Sequence, residues 1–214
     1  MNPIFDVDCR RCPRLAAFLD AVKTDEPGYY CRPVPPFGDA NARIVLVGLA
    51  PGMHGANRTG RPFTGDHAGI LLYRTLFKFG LASRPESIAA DDALTLIDAR
   101  ITNAVKCLPP ANKPQPSEVK QCNAYLQAEL KASHSARVFL ALGAIAHAAV
   151  LRAYDLKLGR FRFAHAAEHA LGDGRVLLDS YHCSRYNTQT RRLTTDMFEA
   201  IIKRAQDLSG RGGQ

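Results

Sequence analysis

The sequence predicts an α/β fold, with a parallel sheet covered by helices on both faces. Three observations predict it. Short apolar runs recur (RIVLVGLA from Arg43, RVFLALG from Arg137, RVLLDSYH from Arg175), each bounded by polar residues or glycine, as strands buried on both faces are. Helical patterns lie between them, and strands that alternate with helices imply a parallel sheet. The irregular sequence follows these runs, and ligands of open α/β sheets sit outside the carboxyl ends of the strands.

Taken in order, CPRLAAFLDAVK (residues 12–23) reads as a helix, and residues 24–42, rich in proline and glycine, as a long loop. RIVLVGLA is the first strand and runs into GLAPGMHGANRTGRPFTGD (48–66). HAGILLYRTLFKF (67–79) is the next helix, with Asp66 placed to cap it. DARITNAVKC, ending at Cys107, is the second strand, followed by KCLPPANKPQP. SEVKQCNAYLQAEL (117–130) is a helix with Ser117 as its expected N-cap. RVFLALG is the third strand, AIAHAAVLRAYDL (144–156) its helix, and RVLLDSYH the fourth strand. The loop SYHCSRYNTQTRR then leads to a last helix, LTTDMFEAIIKRAQDL (193–208), capped by Thr194. Residues 1–208 are expected to form one domain, and SGRGGQ (209–214) a disordered tail.

The chain has 214 residues, 46% of them hydrophobic, enough for one well-cored domain. No apolar run approaches the roughly 18 residues of a membrane span, and MNPIFDVDCRRCPRL has no long apolar core of a secretory signal. An intracellular location in the cytoplasm or nucleoid, away from membranes, is expected. The formal charge of +8 suits a polyanionic partner, of which nucleic acid is the commonest.

Six cysteines in a reducing compartment argue against a disulfide framework and for metal or cluster ligation. Cys9 and Cys12 form a C-x2-C pair, and with Cys107 and Cys122 offer four thiolates, which suits tetrahedral zinc or a [4Fe–4S] cluster. Spacing does not separate the two. Pro13, Pro109 and Pro110 stiffen the backbone beside them. Cys31 could replace one of the four, while Cys183 reads as an unligated thiol.

In the segment 48–66, Gly48, Gly52 and Gly55 fit neither the G-x-G-x-x-G dinucleotide fingerprint nor a P-loop. The chain has no G-K dipeptide and no G-x-S-x-G elbow. GLAPGMHGANRTGRPFTGD, then TNAVKCLPPANKPQP, then SYHCSRYNTQTRRLT, together with the four cysteines in order, resemble the successive motifs of the family 5 (type-5) uracil-DNA glycosylases from Cys9 to about Ala200. The resemblance implies a three-layer α/β/α sandwich with a central four-stranded parallel sheet. It also implies a [4Fe–4S] cluster on Cys9, Cys12, Cys107 and Cys122, and excision of uracil or other deaminated bases from DNA to leave an abasic site. Met53 departs from the expected small residue.

That chemistry flips a nucleotide out of the stack and reads its base edge in a pocket. Breaking the N-glycosidic bond leaves negative charge on the base and positive charge on the sugar, so donors must face the base and a carboxylate the sugar. The turn Leu49, Ala50, Pro51, Gly52 offers backbone amides. By the resemblance, Phe63 is the stacking platform rather than a core ring, and Asn103 reads the base edge rather than capping backbone. Asp66 acts at the sugar beside its capping role, and His182, in H-x-S-x-x-N, stabilises the leaving base. Arg185, Asn187, Thr188, Gln189 and Arg191 make a basic loop for phosphate contact and insertion into the duplex, and Arg58 and Arg61 a second cationic edge. Neither Lys106 nor Lys113 is singled out as a Schiff-base nucleophile, which points to hydrolysis alone, by a monomer acting on DNA. The competing readings are a non-catalytic metal-containing module that binds nucleic acid, and a small-molecule nucleotide-processing enzyme. The second leaves RYNTQTRR unexplained.

Overall fold

A computed structural model describes residues 5–210. In chain order the elements are α1 (Pro13–Asp25), β1 (Phe37–Gly38), β2 (Ile44–Gly48), α2 (Ala56–Thr59), α3 (His67–Lys78), β3 (Ala99–Asn103), α4 (Pro116–Ala132), β4 (Val138–Leu142), α5 (Ala144–Ala153), β5 (Glu168–Ala170), β6 (Val176–Ser180), α6 (Arg185–Gln189) and α7 (Thr195–Leu208). The sheet order is β1-β3-β2-β4-β6-β5. Its middle, β3-β2-β4-β6, is the expected four-stranded parallel sheet. The sheet has six strands because β1 and β5 add short antiparallel edges. They have two and three residues, too few for a pattern to reveal them.

Side-chain alternation along the central strands divides the core. Ile44, Leu46, Val138, Leu140 and Leu178 face α3 and α7, while Val45, Val47, Phe139, Ala141 and Leu177 face α1, α4 and α5. The result is three layers, as a sheet buried on both faces requires.

The first and second parallel strands end level, with Gly48 opposite Asn103, and β4 and β6 end level, with Leu142 opposite Ser180. All the expected site loops therefore open on one edge of the sheet. Four expectations about elements are corrected. The N-cap of α4 is Gln115, not Ser117, and Glu118 reaches back to complete a capping box. The long loop of residues 24–42 contains β1, and the expected loop after β6 contains α6. Of the expected disordered tail, Ser209 is buried and its amide donates to the Ala205 carbonyl, closing α7, and Gly210 donates to Asp207. Residues 211–214 lie outside the described residues.

Candidate active site

The loop 48–66 leaves β2 against Asn103. Past the strand ends, the amides of Ala104 and Val105 donate to the carbonyls of Gly48 and Leu49, each at 2.9 Å. A Cβ on Gly48 would lie 2.4 Å from Asn103 Oδ1 and 2.8 Å from the Phe63 ring. Only glycine lets amide and ring meet there. The cleft so formed, about 820 Å³, is lined by Leu49, Ala50, Gly52, Phe63, Asp66, Asn103, His182 and Arg185. Pro51 is buried beneath it, and as an imino acid it has no N–H to donate.

Phe63 has φ 54°, a left-handed conformation that a bulky side chain adopts only when its surroundings impose it. Its ring lies 5.8 Å from the His182 imidazole, at an interplanar angle of 28°. Asn103 is 3% exposed, and its Oδ1 has no hydrogen-bond partner. An unpaired buried polar group costs about 1–3 kcal/mol, so a hydrogen-bond donor placed at this oxygen would be favoured.

Asp66 caps α3: its Oδ1 accepts from the Gly69 amide at 2.8 Å. Its Oδ2 turns to the loop, where a Cβ on Gly55 would lie 2.5 Å away and one on Gly52 3.5 Å. Capping and an open carboxylate oxygen coexist. Burial raises the Asp66 pKa above the ordinary carboxylate value, partly opposed by the amides of Gly69 and Ala68. Burial pushes the His182 pKa down to about 4, so its imidazole is neutral near pH 7. The Asn187 side-chain amide donates to the His182 carbonyl at 2.8 Å and fixes the backbone there.

On the rim, Arg58, Arg185, Gln189 and Arg191 are exposed. Arg61 is not: it is 4% exposed, ion-paired to Asp92 at 2.6 Å, bonded to Ser87 and Thr64, and laid over the Phe37 ring. The assignment of Arg61 to a DNA edge is corrected, because its charge is neutralised inside the fold. Asn187 and Thr188 are likewise engaged by the loop itself, through the carbonyls of His182 and Ser184. Two residues of the rim escaped sequence reasoning. Tyr186, on α6, is 70% exposed, and its only signal was an aromatic set among polar neighbours. Asn112 lines the cleft and, like Ala111 before it, is left-handed, the two having φ 56° and 53°. Lys106 is buried against Glu129 at 2.7 Å and is no free amine.

Cys9, Cys12, Cys107 and Cys122 line one small cavity of about 20 Å³, with Leu15, Lys106 and Tyr125. Cys12 is the N-cap of α1, with Pro13 at its first turn, and Cys122 lies on the buried face of α4. Arg14 bonds both carboxylate oxygens of Glu118 at 2.8 and 2.7 Å and clamps the two helices together. The Lys106 amide points at Cys122 Sγ, 3.3 Å away. Burial first, then the neighbouring sulfurs, pushes the Cys107 thiol up to about 12. Burial likewise pushes Cys122 up to about 11. Four cysteine sulfurs around one cavity, with an N–H aimed at one of them, are a donor set that a bound cation or cluster would hold as thiolates. Cys31 stands apart, its sulfur accepting from Asn57 at 3.4 Å, and Cys183 is fully buried, which raises its pKa.

Fold and cleft together define an α/β protein whose strand ends open into one cleft walled by an aromatic ring, a buried amide with an unpaired oxygen and a carboxylate. The family described as "Uracil DNA glycosylase superfamily" matches residues 35–206. The chain is 49% identical to the type-5 uracil-DNA glycosylase of Thermus thermophilus over 94% of each chain. It is 41% identical to that of Pyrobaculum aerophilum over 93% of this chain and 88% of the relative. It is also 34% identical to a type-4 uracil-DNA glycosylase of Archaeoglobus fulgidus over 71% of this chain and 62% of the relative. The chain belongs to the type-5 family of the uracil-DNA glycosylase superfamily.

Proposed function

We propose that this protein flips uracil out of DNA and hydrolyses its N-glycosidic bond, leaving an abasic site in base excision repair. The observation that carries the reading is the buried Asn103 Oδ1 without a partner, at the level of Phe63 and beside Asp66 and His182. A flipped base stacks on Phe63, and the Asn103 amide, which donates and accepts, pairs with its polar edge. Amides of the Leu49–Gly52 turn, except at Pro51, donate to a base oxygen.

As the bond stretches, electrons move onto the base and positive charge onto the sugar. The neutral His182 donates an N–H to the forming anion, and the free Asp66 Oδ2 stabilises the cationic sugar carbon. Water then bonds to that carbon, and its proton passes to Asp66. Arg58, Arg185, Gln189 and Arg191 contact the phosphates, with Tyr186 beside them as a wedge against the stack. Asn187 and Thr188 act by holding the loop. Hypoxanthine, xanthine and etheno adducts are further candidate bases, and Met53 in the cleft wall bears on that choice.

Cys9, Cys12, Cys107 and Cys122 would hold a [4Fe–4S] cluster, with a structural role beside the DNA face. Residues 1–208 are proposed to work as one domain and as a monomer inside the cell. Among the described residues no helix is long and apolar enough to cross a membrane. Incubation with single- and double-stranded uracil DNA, followed by alkaline cleavage, tests the reading: strand breaks at the uracil support it, and intact strands refute it.

A further inference from the structure

We propose that His147, His169 and Asp179 form a binding site for one divalent transition cation of the zinc class, separate from both the cleft and the cysteine centre. Asp179 lies on β6, His147 in the first turn of α5 and His169 on β5. Asp179 is fully buried, and among the described residues its ion-pair partners are these two histidines alone. His147 Nδ1 lies 2.8 Å from Asp179 Oδ1 and His169 Nε2 3.1 Å from Oδ2, with the donor atoms all within 4.8 Å of one another.

The hydrogen-bond pattern requires positive charge at this cluster, supplied by a proton on His147 or by a cation. The other nitrogen of His147, Nε2, lies 3.1 Å from the Phe161 carbonyl. A carbonyl only accepts, so Nε2 carries the hydrogen. A neutral imidazole has one N–H, so Nδ1 then presents a lone pair to a carboxylate oxygen that also only accepts. These two groups repel unless positive charge lies between them. A proton would settle that single contact. A divalent cation would satisfy both imidazoles and the carboxylate at once.

The surroundings fit a metal ligand set. An imidazole whose outer N–H is anchored on a backbone carbonyl is the arrangement that orients metal-bound histidines. Two imidazoles and a carboxylate suit zinc, and ligands with bonds of about 2.0–2.2 Å sit roughly 3 Å apart around it. The rings of Phe163 and Phe161 pack edge-on against His147 and His169, each at 5.7 Å. The His169 side chain is 13% exposed, so the cluster meets solvent on that side. An ion here would tie β5, β6 and α5 together just before His182, beneath the catalytic end of β6.

The test uses the protein as purified, with its cysteine centre filled. It is equilibrated with zinc sulfate, passed through gel filtration and analysed for zinc and iron. The expected result is one zinc per chain beyond the iron, a higher melting temperature with zinc, and loss of both in His169→Asn, at a partly exposed position. In wild-type crystals, anomalous scattering at the zinc edge would peak between the three side chains. No retained zinc in the wild type, or equal zinc in wild type and His169→Asn, overturns the proposal, as does anomalous density elsewhere only. Uracil excision is not a readout, so the two proposals fail separately.

Discussion

At the residue scale the proposed chemistry divides between one carboxylate, Asp66, and one neutral imidazole, His182. Asp66→Asn keeps a capping oxygen for Gly69 and removes a buried negative charge, so it folds with an unchanged or higher melting temperature near pH 7. Single-turnover excision should fall by about 10²-fold or more, the scale of losing one electrostatic stabiliser. The pH profile follows from the same groups. Asp66 must be ionised, and its pKa is raised, so activity climbs with pH through a point above the ordinary carboxylate value. His182, at about 4, is already neutral there and adds no break near pH 6.5. An inflection near 6.5 that vanishes in His182→Gln would show that the imidazole titrates and is not held neutral. Asn103 and His182 stand at or just past the ends of recognisable strands, while Phe63 and Asp66 stood out only through the family resemblance of the loop after β2; the fold brings all four to one cleft. Arg61 was misread because its partner, Asp92, is 31 residues away, and a charge in a glycine-rich loop looks the same in sequence whether buried or exposed.

At the element scale, α6 presents Arg185 and Tyr186 outward while Asn187 and Thr188 turn back on the loop. Removing a phosphate contact weakens binding at all sequences and lowers the salt slope by about one. Arg185→Ala should do this in fluorescence-anisotropy titrations across a salt series, and an unchanged slope would take Arg185 off the DNA surface. Asn187→Ala should instead lower the excision rate with the salt slope intact, since it acts through the His182 backbone. The 59–64 turn and the Asp92 loop are locked by Arg61. Breaking one partner of a buried pair costs about 3–5 kcal/mol, so Arg61→Ala should lose stability on that scale in urea denaturation. Arg61 depresses the Asp92 pKa, so this stabilisation is present above the ordinary carboxylate pKa and fades as pH falls below it. The variant's deficit should shrink in acid. The four parallel strands and five of the helices showed in the sequence as apolar runs and periodicity. β1, β5, α2 and α6 did not, being too short for either. The α4 start was displaced because Gln115 and Glu118 cap each other, which outweighs a serine two residues on.

At the scale of the whole molecule, the four cysteines come from the first helix start, the turn after β3 and the face of α4, so a filled centre joins the N-terminal segment to the sheet. Loss of the centre by Cys107→Ser should remove the visible absorbance and lower the melting temperature, while a colourless, equally stable wild type would contradict the cluster. Their order along the chain was legible, but that they meet in one cavity followed only from the fold. The proposed chemistry requires this cleft to release a base from DNA. The most direct measurement is free uracil released from uracil-containing DNA, counted against alkali-labile sites, for the wild type and Asp66→Asn side by side. One uracil per abasic site in the wild type, with release suppressed in the folded variant, is the predicted result. No free base from the wild type, or equal release by Asp66→Asn, would contradict it.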